Sequence, residues 1–262
     1  MGVEVLPLSV HFGEEAYLDG VELSPDEFYR KLAEATALPT TSQINPDRFI
    51  QTFEEARAAG DQVLGIFISS EMSGTYQSAC IARDAVDREN ISVIDSRTVT
   101  FAMGLLVDLA ARWREEGCSL EELTLRITAL TRRVRILAQV DTLKYLKMGG
   151  RISAATAMVG GLLGICPVVS VEEGKVLSAG KARGRKGAYN WIREELGRRP
   201  ADLSLPVAFG HSNAPQALEE VQKAFADWSG EAPFSRTGNI GAVVGTHAGP
   251  GASGLAYFEK EE

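Results

Sequence analysis

Between residues 67 and 79 the chain reads FISSEMSGTYQSA, an apolar run that passes into three serines and a glycine. Ser69, Ser70 and Ser73 crowd the place where a strand is predicted to end and a helix to begin. Serines so placed can attack, cap or hold. A nucleophilic serine needs a base and an orienting acid. The strained G-x-S-x-G elbow is absent, because Phe67, Ile68 and Glu71 stand two residues before the serines. A cap needs only Ser73 at the helix start. A binding turn would use the free N–H groups, the hydroxyls and the positive end of the helix dipole to hold a carboxylate or phosphate. On spacing alone all three readings stay open.

Four other stretches could carry chemistry. PTTSQINP, residues 39 to 46, sets Thr40, Thr41, Ser42 and Asn45 before a second helix, as a loop with an Asn cap or as another ligand-facing hydroxyl cluster. KMGGRIS, residues 147 to 153, puts Arg151 after a glycine pair and before an uncharged segment. An arginine there is either solvated or set for an anionic head with an apolar tail. GTHAGPGASG, residues 245 to 254, surrounds His247 with glycines that can bring backbone N–H groups close to a ligand, or simply form a hairpin loop. GKARGRKGA, residues 180 to 188, is the one basic run; it lacks the phosphate-loop spacing and reads as a solvated face or a dock for an acidic partner. His11 and His211 have no metal-ligand spacing, so no metal is assigned.

The elements that must position these residues follow from caps and periodicity. Residues 3–10 read as a strand and HFGEEAYLDG as a small hairpin or polar excursion. Ser24, Pro25 and Glu27 form a capping box opening a helix to about Ala35. Asn45 and Pro46 open another, stopped by Gly60. VLGIFIS and ISVIDS read as strands apolar on both faces, the mark of a parallel sheet covered by helices. Helices are expected at about 98–116, 119–133, 154–164, 185–197 and 215–227, with a short one in TLKYLKMGG. VRILAQVD and LPVAFGH read as strands, CPVVSVEEGKVLSAGKA as a hairpin turning at Glu173-Gly174, and further strands are predicted near 232–237, 240–246 and 254–259. This predicts an α/β protein of two domains, dividing near residue 130.

Bulk properties narrow the class. At 262 residues the chain can bury a substantial core, and its net charge of −8 argues against a general nucleic-acid binder. Cys80, Cys118 and Cys166 form no CxxC pair, which argues against a disulfide framework or structural zinc and fits a reducing cytoplasm. No signal peptide is read at the start. SAATAMVGGLLGICPVVSV, residues 153 to 171, is uncharged and near the ~20 residues of a membrane span. Its glycines and Pro167 favour a buried helix running into a buried strand.

Five stretches, TSQINPDRF, FISSEMSGTYQSA, VIDS, LKYLKMGGRIS and IGAVVGTHAGPGA, occur in an order that resembles the DegV family of bacterial fatty acid-binding proteins. The resemblance spans essentially the whole chain. It implies an N-terminal three-layer α/β/α domain with a parallel sheet (1–130), a C-terminal α/β domain with a mixed sheet (131–262), and a long-chain fatty acid buried between them. It further implies a cytoplasmic lipid-binding subunit of a fatty acid kinase, without a catalytic residue, metal or cofactor of its own. A separate ATP-using subunit then phosphorylates the bound carboxylate to an acyl phosphate for phospholipid synthesis. Thr41, Ser73 and Gly74 are implied to hold the carboxylate, Arg151 and His247 to complete its network, and Met158, Leu162 and Ile165 to line the acyl chain. The implied partners are the fatty acid and the kinase subunit. Nucleic acid and stable membrane insertion are not implied; transient contact with a membrane surface is compatible.

Elementary energetics suit that division of labour. Burying about 14 methylenes at ~0.8 kcal/mol each contributes on the order of 11 kcal/mol as an upper bound, so the tail supplies affinity. A buried carboxylate is costly unless it meets donors and positive charge. The rival from another class is a serine hydrolase acting on lipid esters through Ser73 and His247. The chain also departs from the family pattern. The family's first strand, ending in an Asp-Ser turn, and its helix are not recognised, so sheet edges next to them are expected to be exposed. Asn45-Pro46 follows TSQ after an isoleucine, where the family usually has proline directly, and Cys166 replaces a common lysine.

Overall fold

The computed structural model describes residues 2–152 and 164–261. A hairpin of β1 (Ser9–Phe12) and β2 (Glu15–Leu18) joins β3 (Thr40–Ser42) in a three-stranded antiparallel sheet, order β2-β1-β3. Between β2 and β3 runs α1 (Pro25–Glu34), opened by the predicted reciprocal bonds of Ser24 and Glu27. Next comes α2 (Pro46–Ala59), with the Asn45 side chain accepting from the Asp47 N–H and Gly60 ending it at φ 78°.

The predicted three layers follow. At their centre β4 (Val63–Phe67) pairs in parallel with β5 (Ile91–Asp95), and α3 (Thr75–Val86) connects them. Val63 and Phe67 face α2 and α3, against Phe49, Phe53, Ala79 and Ala82. Leu64 and Ile66, on the opposite face, meet α4 (Thr100–Glu115) and α5 (Leu120–Thr131) through Leu105, Leu106 and Ile127. Strand periodicity of two sends alternate residues to opposite layers, which is why VLGIF is apolar throughout. On its other side β4 borders a groove of about 770 Å3 that includes Val3, Leu6 and Phe53.

The second half forms a six-stranded mixed sheet, order β10-β9-β11-β6-β7-β8. Its strands are β6 (Val134–Gln139), β7 (Ile165–Glu172), β8 (Lys175–Arg183), β9 (Val207–His211), β10 (Ser235–Asn239) and β11 (Ser253–Phe258). Among these six strands only β9 and β10 pair in parallel. The β7–β8 turn falls at Glu173-Gly174, both at positive φ (49° and 83°), as a two-residue turn that follows strand twist requires. One face carries Ile136, Ala256 and Phe258 against α4; the other carries Leu137, Phe209 and Leu255 against α7 (Gly184–Arg198) and α8 (Pro215–Ala224). The short α6 (Lys144–Met148) follows β6, and α9 (Ala226–Ser229) follows α8.

Two expectations change. The run 240–246 is not a strand but the start of α10 (Ala242–Ala248). Both oxygens of the Asp19 carboxylate accept from the Ala242 and Val243 N–H groups at 2.8 and 2.9 Å, satisfying donors that a helix start leaves free. Glycine at 245 lets α10 close onto Phe28 and Tyr29: a Cβ there would lie 2.7 Å from each of them. No local pattern reveals these partners, because they lie more than 200 residues away. The expected strand at 3–10 is confined to β1, and Leu8 packs at the edge of two apolar clusters without strand pairing. The expected helix 154–164 lies almost wholly outside the described residues.

Candidate functional site

A cavity of about 220 Å3 opens between the six-stranded sheet, α10 and the turn that precedes α3. A single water needs only roughly 10–15 Å3 of such space, so this is room for a larger molecule. Ile136, Ala138 and Val140 project into it from alternate positions of β6 and its end, Val169 and Val171 from β7, and Val243 and Val244 from α10. Against these apolar walls the cavity gathers Thr41, Ser73, Gly74, Arg151 and His247, the five residues that the family resemblance implies for a carboxylate.

Hydrogen bonds weld that group together. Thr41 Oγ1 lies 2.9 Å from His247 Nε2. The Gln43 amide rests on Gly74, where a Cβ would fall 2.0 Å from Gln43 Oε1, and Gln43 Nε2 donates to Ser78 Oγ at 3.0 Å. The TSQ and SGT stretches are thus docked directly on each other. Arg151 Nε donates to the Met72 carbonyl at 3.2 Å and Nη1 to the Gly149 carbonyl at 2.6 Å, tying the guanidinium to the serine turn. Burial, and secondarily the charge of Arg151, push the His247 pKa down to about 4, so the ring is neutral at physiological pH.

The serine turn divides its work. Ser69 is fully buried, and its hydroxyl donates to the Gly174 carbonyl at 2.7 Å, anchoring the turn to the β7–β8 hairpin. Ser70 Oγ donates to Asp95 Oδ2 at 2.5 Å. Ser73 lies at the cavity, with Oγ 2.9 Å from Thr75 Oγ1 and accepting from the Thr75 N–H at 3.3 Å. Gly74, not Ser73, holds the N-cap position of α3 and has no side chain to cap it, while Ser73 from one residue earlier meets only the Thr75 N–H. The N-terminus of a twelve-residue helix therefore lies at the polar cluster, with only its Thr75 N–H taken by a side chain among the described residues. Ser73 and His247 share no hydrogen bond, and His247 Nδ1 is buried without a partner, so among the described residues neither a base for Ser73 nor an acid behind the ring is assembled.

A family model describing the DegV family of uncharacterised proteins matches residues 1–260. The chain belongs to the DegV family. A DegV domain-containing protein of Caldanaerobacter subterraneus is 38% identical over 99% of this chain and 92% of its own. A DegV family protein from Thermus thermophilus, solved in a study of its fatty acid binding, has a TM-score of 0.90 at 34% identity, covering 99% of this chain and 92% of that one. A stearic acid-binding protein from Eubacterium ventriosum has a TM-score of 0.82 at 30% identity, covering 97% of this chain and 90% of that one.

In this DegV chain the residues assigned to an acyl chain fare differently from those of the head group. Met158 and Leu162 lie outside the described residues. Ile165 is half-buried at the start of β7, and the cavity-lining residues of that strand are Val169 and Val171. Sequence reasoning overlooked Gln43, Met72, Phe101 and the α10 valines. The alternation Ile136, Ala138, Val140 was a usable signal for one wall. Val243 and Val244 were hidden by reading α10 as a strand. Among the described residues no group of His, Cys, Asp and Glu could hold a metal, and no helix is long and apolar enough to cross a membrane.

Proposed function

We propose that this protein binds a long-chain fatty acid in the cavity between its two α/β units, divided as 1–130 and 131–262. It presents the carboxylate to a separate ATP-dependent kinase subunit, which forms the acyl phosphate used in phospholipid synthesis. Thr41, Ser73, the backbone at Gly74 and Arg151 hold the carboxylate, with His247 behind Thr41. The observation that carries this reading is one polar cluster with an arginine and a helix N-terminus, set in an otherwise apolar cavity. Fatty acid binding by a DegV protein and by a stearic acid-binding protein of the same fold supports it. The protein supplies no nucleophile; the bound carboxylate attacks the γ-phosphoryl group held by the partner. The setting is a bacterial cytoplasm, with transient contact at the membrane surface for loading, and no cofactor or nucleic acid.

Native mass spectrometry of the protein purified from a bacterial host is expected to show a co-purified long-chain fatty acid. An empty cavity that also fails to load with palmitic acid would overturn the proposal. A fluorophosphonate probe is expected to leave Ser73 unlabelled; labelling at that residue would restore the hydrolase alternative.

A further inference from the structure

β4 and β5 run in parallel and end side by side, with Phe67 opposite Asp95, so the loops that follow them leave the sheet at one edge. The first loop is the serine turn; the second, residues 96–99, leads into α4. One carboxylate joins the two. Asp95 Oδ2 accepts from the Ser70 hydroxyl at 2.5 Å, while Oδ1 accepts from the Ser70 N–H at 3.2 Å and the Arg97 N–H at 2.9 Å. Backbone ties run beside it: the Ser96 N–H donates to the Phe67 carbonyl and the Ser69 N–H to the Thr98 carbonyl, each at 3.0 Å. The Ser70 bond has the length of a hydroxyl donating to an ionised carboxylate, about 2.5–2.7 Å. Arg97 sits at φ 52°, a left-handed conformation that is costly for a residue with a side chain, and its bond to the carboxylate two residues earlier is the Asx turn that offsets that cost.

The geometry points to Asp95 as a positioning residue that, from outside the cavity, holds the serine turn at Ser70 and so sets the Ser73 hydroxyl at the ligand's carboxylate. Asp95 does not line the cavity, but both loops it joins do, through Met72 and Ser73 of the first and Val99 of the second. The turn moves as one piece, because the Met72 and Ser73 N–H groups both donate to the Ser69 carbonyl, at 3.0 and 3.1 Å. Its other side-chain anchor is Ser69, whose hydroxyl holds the Gly174 carbonyl. A piece held at one point can still swing about it; the second anchor at Ser70 removes that freedom. A charged head group depends on such aim far more than an apolar tail does, since hydrogen bonds weaken steeply with misdirection whereas apolar burial is non-directional. The inference rests on the fatty acid reading for its ligand but not for the anchoring of the turn.

Two measurements test it. Hydrogen exchange of the ligand-free protein is expected to be about tenfold faster or more at the Met72 and Ser73 amides in Asp95→Ala, with the β6 amides unchanged. Unchanged exchange at Met72 and Ser73, or equal acceleration in β6, overturns the inference. Displacement of a bound fluorescent fatty acid is then compared for palmitic acid and 1-hexadecanol, which share a tail length but not a charged head. Asp95→Ala is expected to weaken palmitic acid roughly tenfold and 1-hexadecanol by about twofold at most, and to lose most of its effect on palmitic acid beside Ser73→Ala. An equal loss for acid and alcohol, or an undiminished loss beside Ser73→Ala, overturns the inference, since Asp95 would then act other than through Ser73. Asp95→Asn, which keeps one acceptor oxygen, is expected to show the same pattern at smaller amplitude and decides the outcome alone if Asp95→Ala does not fold. If the unsubstituted protein binds no palmitic acid, the fatty acid reading falls and the exchange at Met72 and Ser73 decides the inference by itself.

Discussion

Ser73 and Thr41 come from elements 32 residues apart in sequence, and each contributes a hydroxyl to one cavity. Replacing both by alanine is expected to weaken palmitic acid binding by about tenfold or more and, on the proposed function, to slow its phosphorylation by the proposed kinase subunit. Unchanged turnover would remove them from the head site. The neighbouring glycines should fail in different ways. Gly149→Ala drives a methyl into the His247 ring and is expected to reduce palmitic acid affinity, with an overpacking cost of about 1–3 kcal/mol. Gly150→Ala meets no atom within 4 Å, but holds an L residue at φ 70°, costing about 1–2 kcal/mol with affinity retained. Urea midpoints and calorimetric titrations of the two variants separate these effects. Local patterns left Thr41, Ser73, Arg151 and His247 open to capping, loop or solvated readings, and the resemblance of their motifs to the family singled them out with Gly74; the fold brings all five to one cavity. Gln43 was not legible, since nothing in TSQ tells which side chain will lie on Gly74.

At the scale of elements, α10 decides the site. Its seven residues end near His247, and its start is held by Asp19 from the loop after β2. Thr41 lies in β3 of the same three-stranded sheet, and Ala242 and Val243 share a core with Val10, Phe28 and Tyr29. Both partners of the Thr41–His247 bond are therefore referenced to one small body. Asp19→Ala is expected to lower stability by about 1 kcal/mol, the usual cost of a lost helix cap, and to weaken palmitic acid binding although Asp19 does not line the cavity. Urea denaturation and titration of the same variant check the two effects. The strands and longer helices were legible from period two, period 3.6 and capping residues. α10 was not, because a short run of glycine, alanine and valine satisfies helix and strand patterns alike until Asp19 supplies the cap.

The whole molecule carries an ionic seam that fastens the end of the chain to the mixed sheet. Arg199 bonds both Glu259 and Glu172, and Arg135 also reaches Glu259 at 2.8 Å. The Arg199 bonds hold the Glu259 carboxyl below its ordinary 4.5. A carboxyl with a depressed folded pKa stabilises the fold above 4.5 and loses that contribution as the pH falls through its folded value. His247 acts in the same direction at higher pH. Its folded pKa of about 4 lies below the ordinary 6.5, so the unfolded chain binds more protons within that window and stability falls as pH drops. The urea midpoint is therefore expected to decline from about pH 6.5 downward and more steeply below 4.5. Glu259→Gln is expected to cost about 1–3 kcal/mol at pH 7, and the difference should shrink in acid. A constant difference across that range would detach Glu259 from the acid response.

The sequence by itself determined the local matters: which segments become strands and helices, where caps and glycines end them, and which short motifs bear hydroxyls or charge. Those depend on neighbours a few residues away, and the periodicities and caps record them directly. Only the tertiary structure decided that 242–248 is helical, that Gln43 covers Gly74, and that the lone His247 meets Thr41 rather than Ser73. Each of those outcomes is set by a partner between about 30 and 220 residues distant, brought into contact by burial of apolar faces that have no preferred partner along the chain. The serine turn could attack, cap or hold as sequence; in the fold Ser69 anchors it, Gly74 holds the N-cap position of α3, and Ser73 is left facing the cavity.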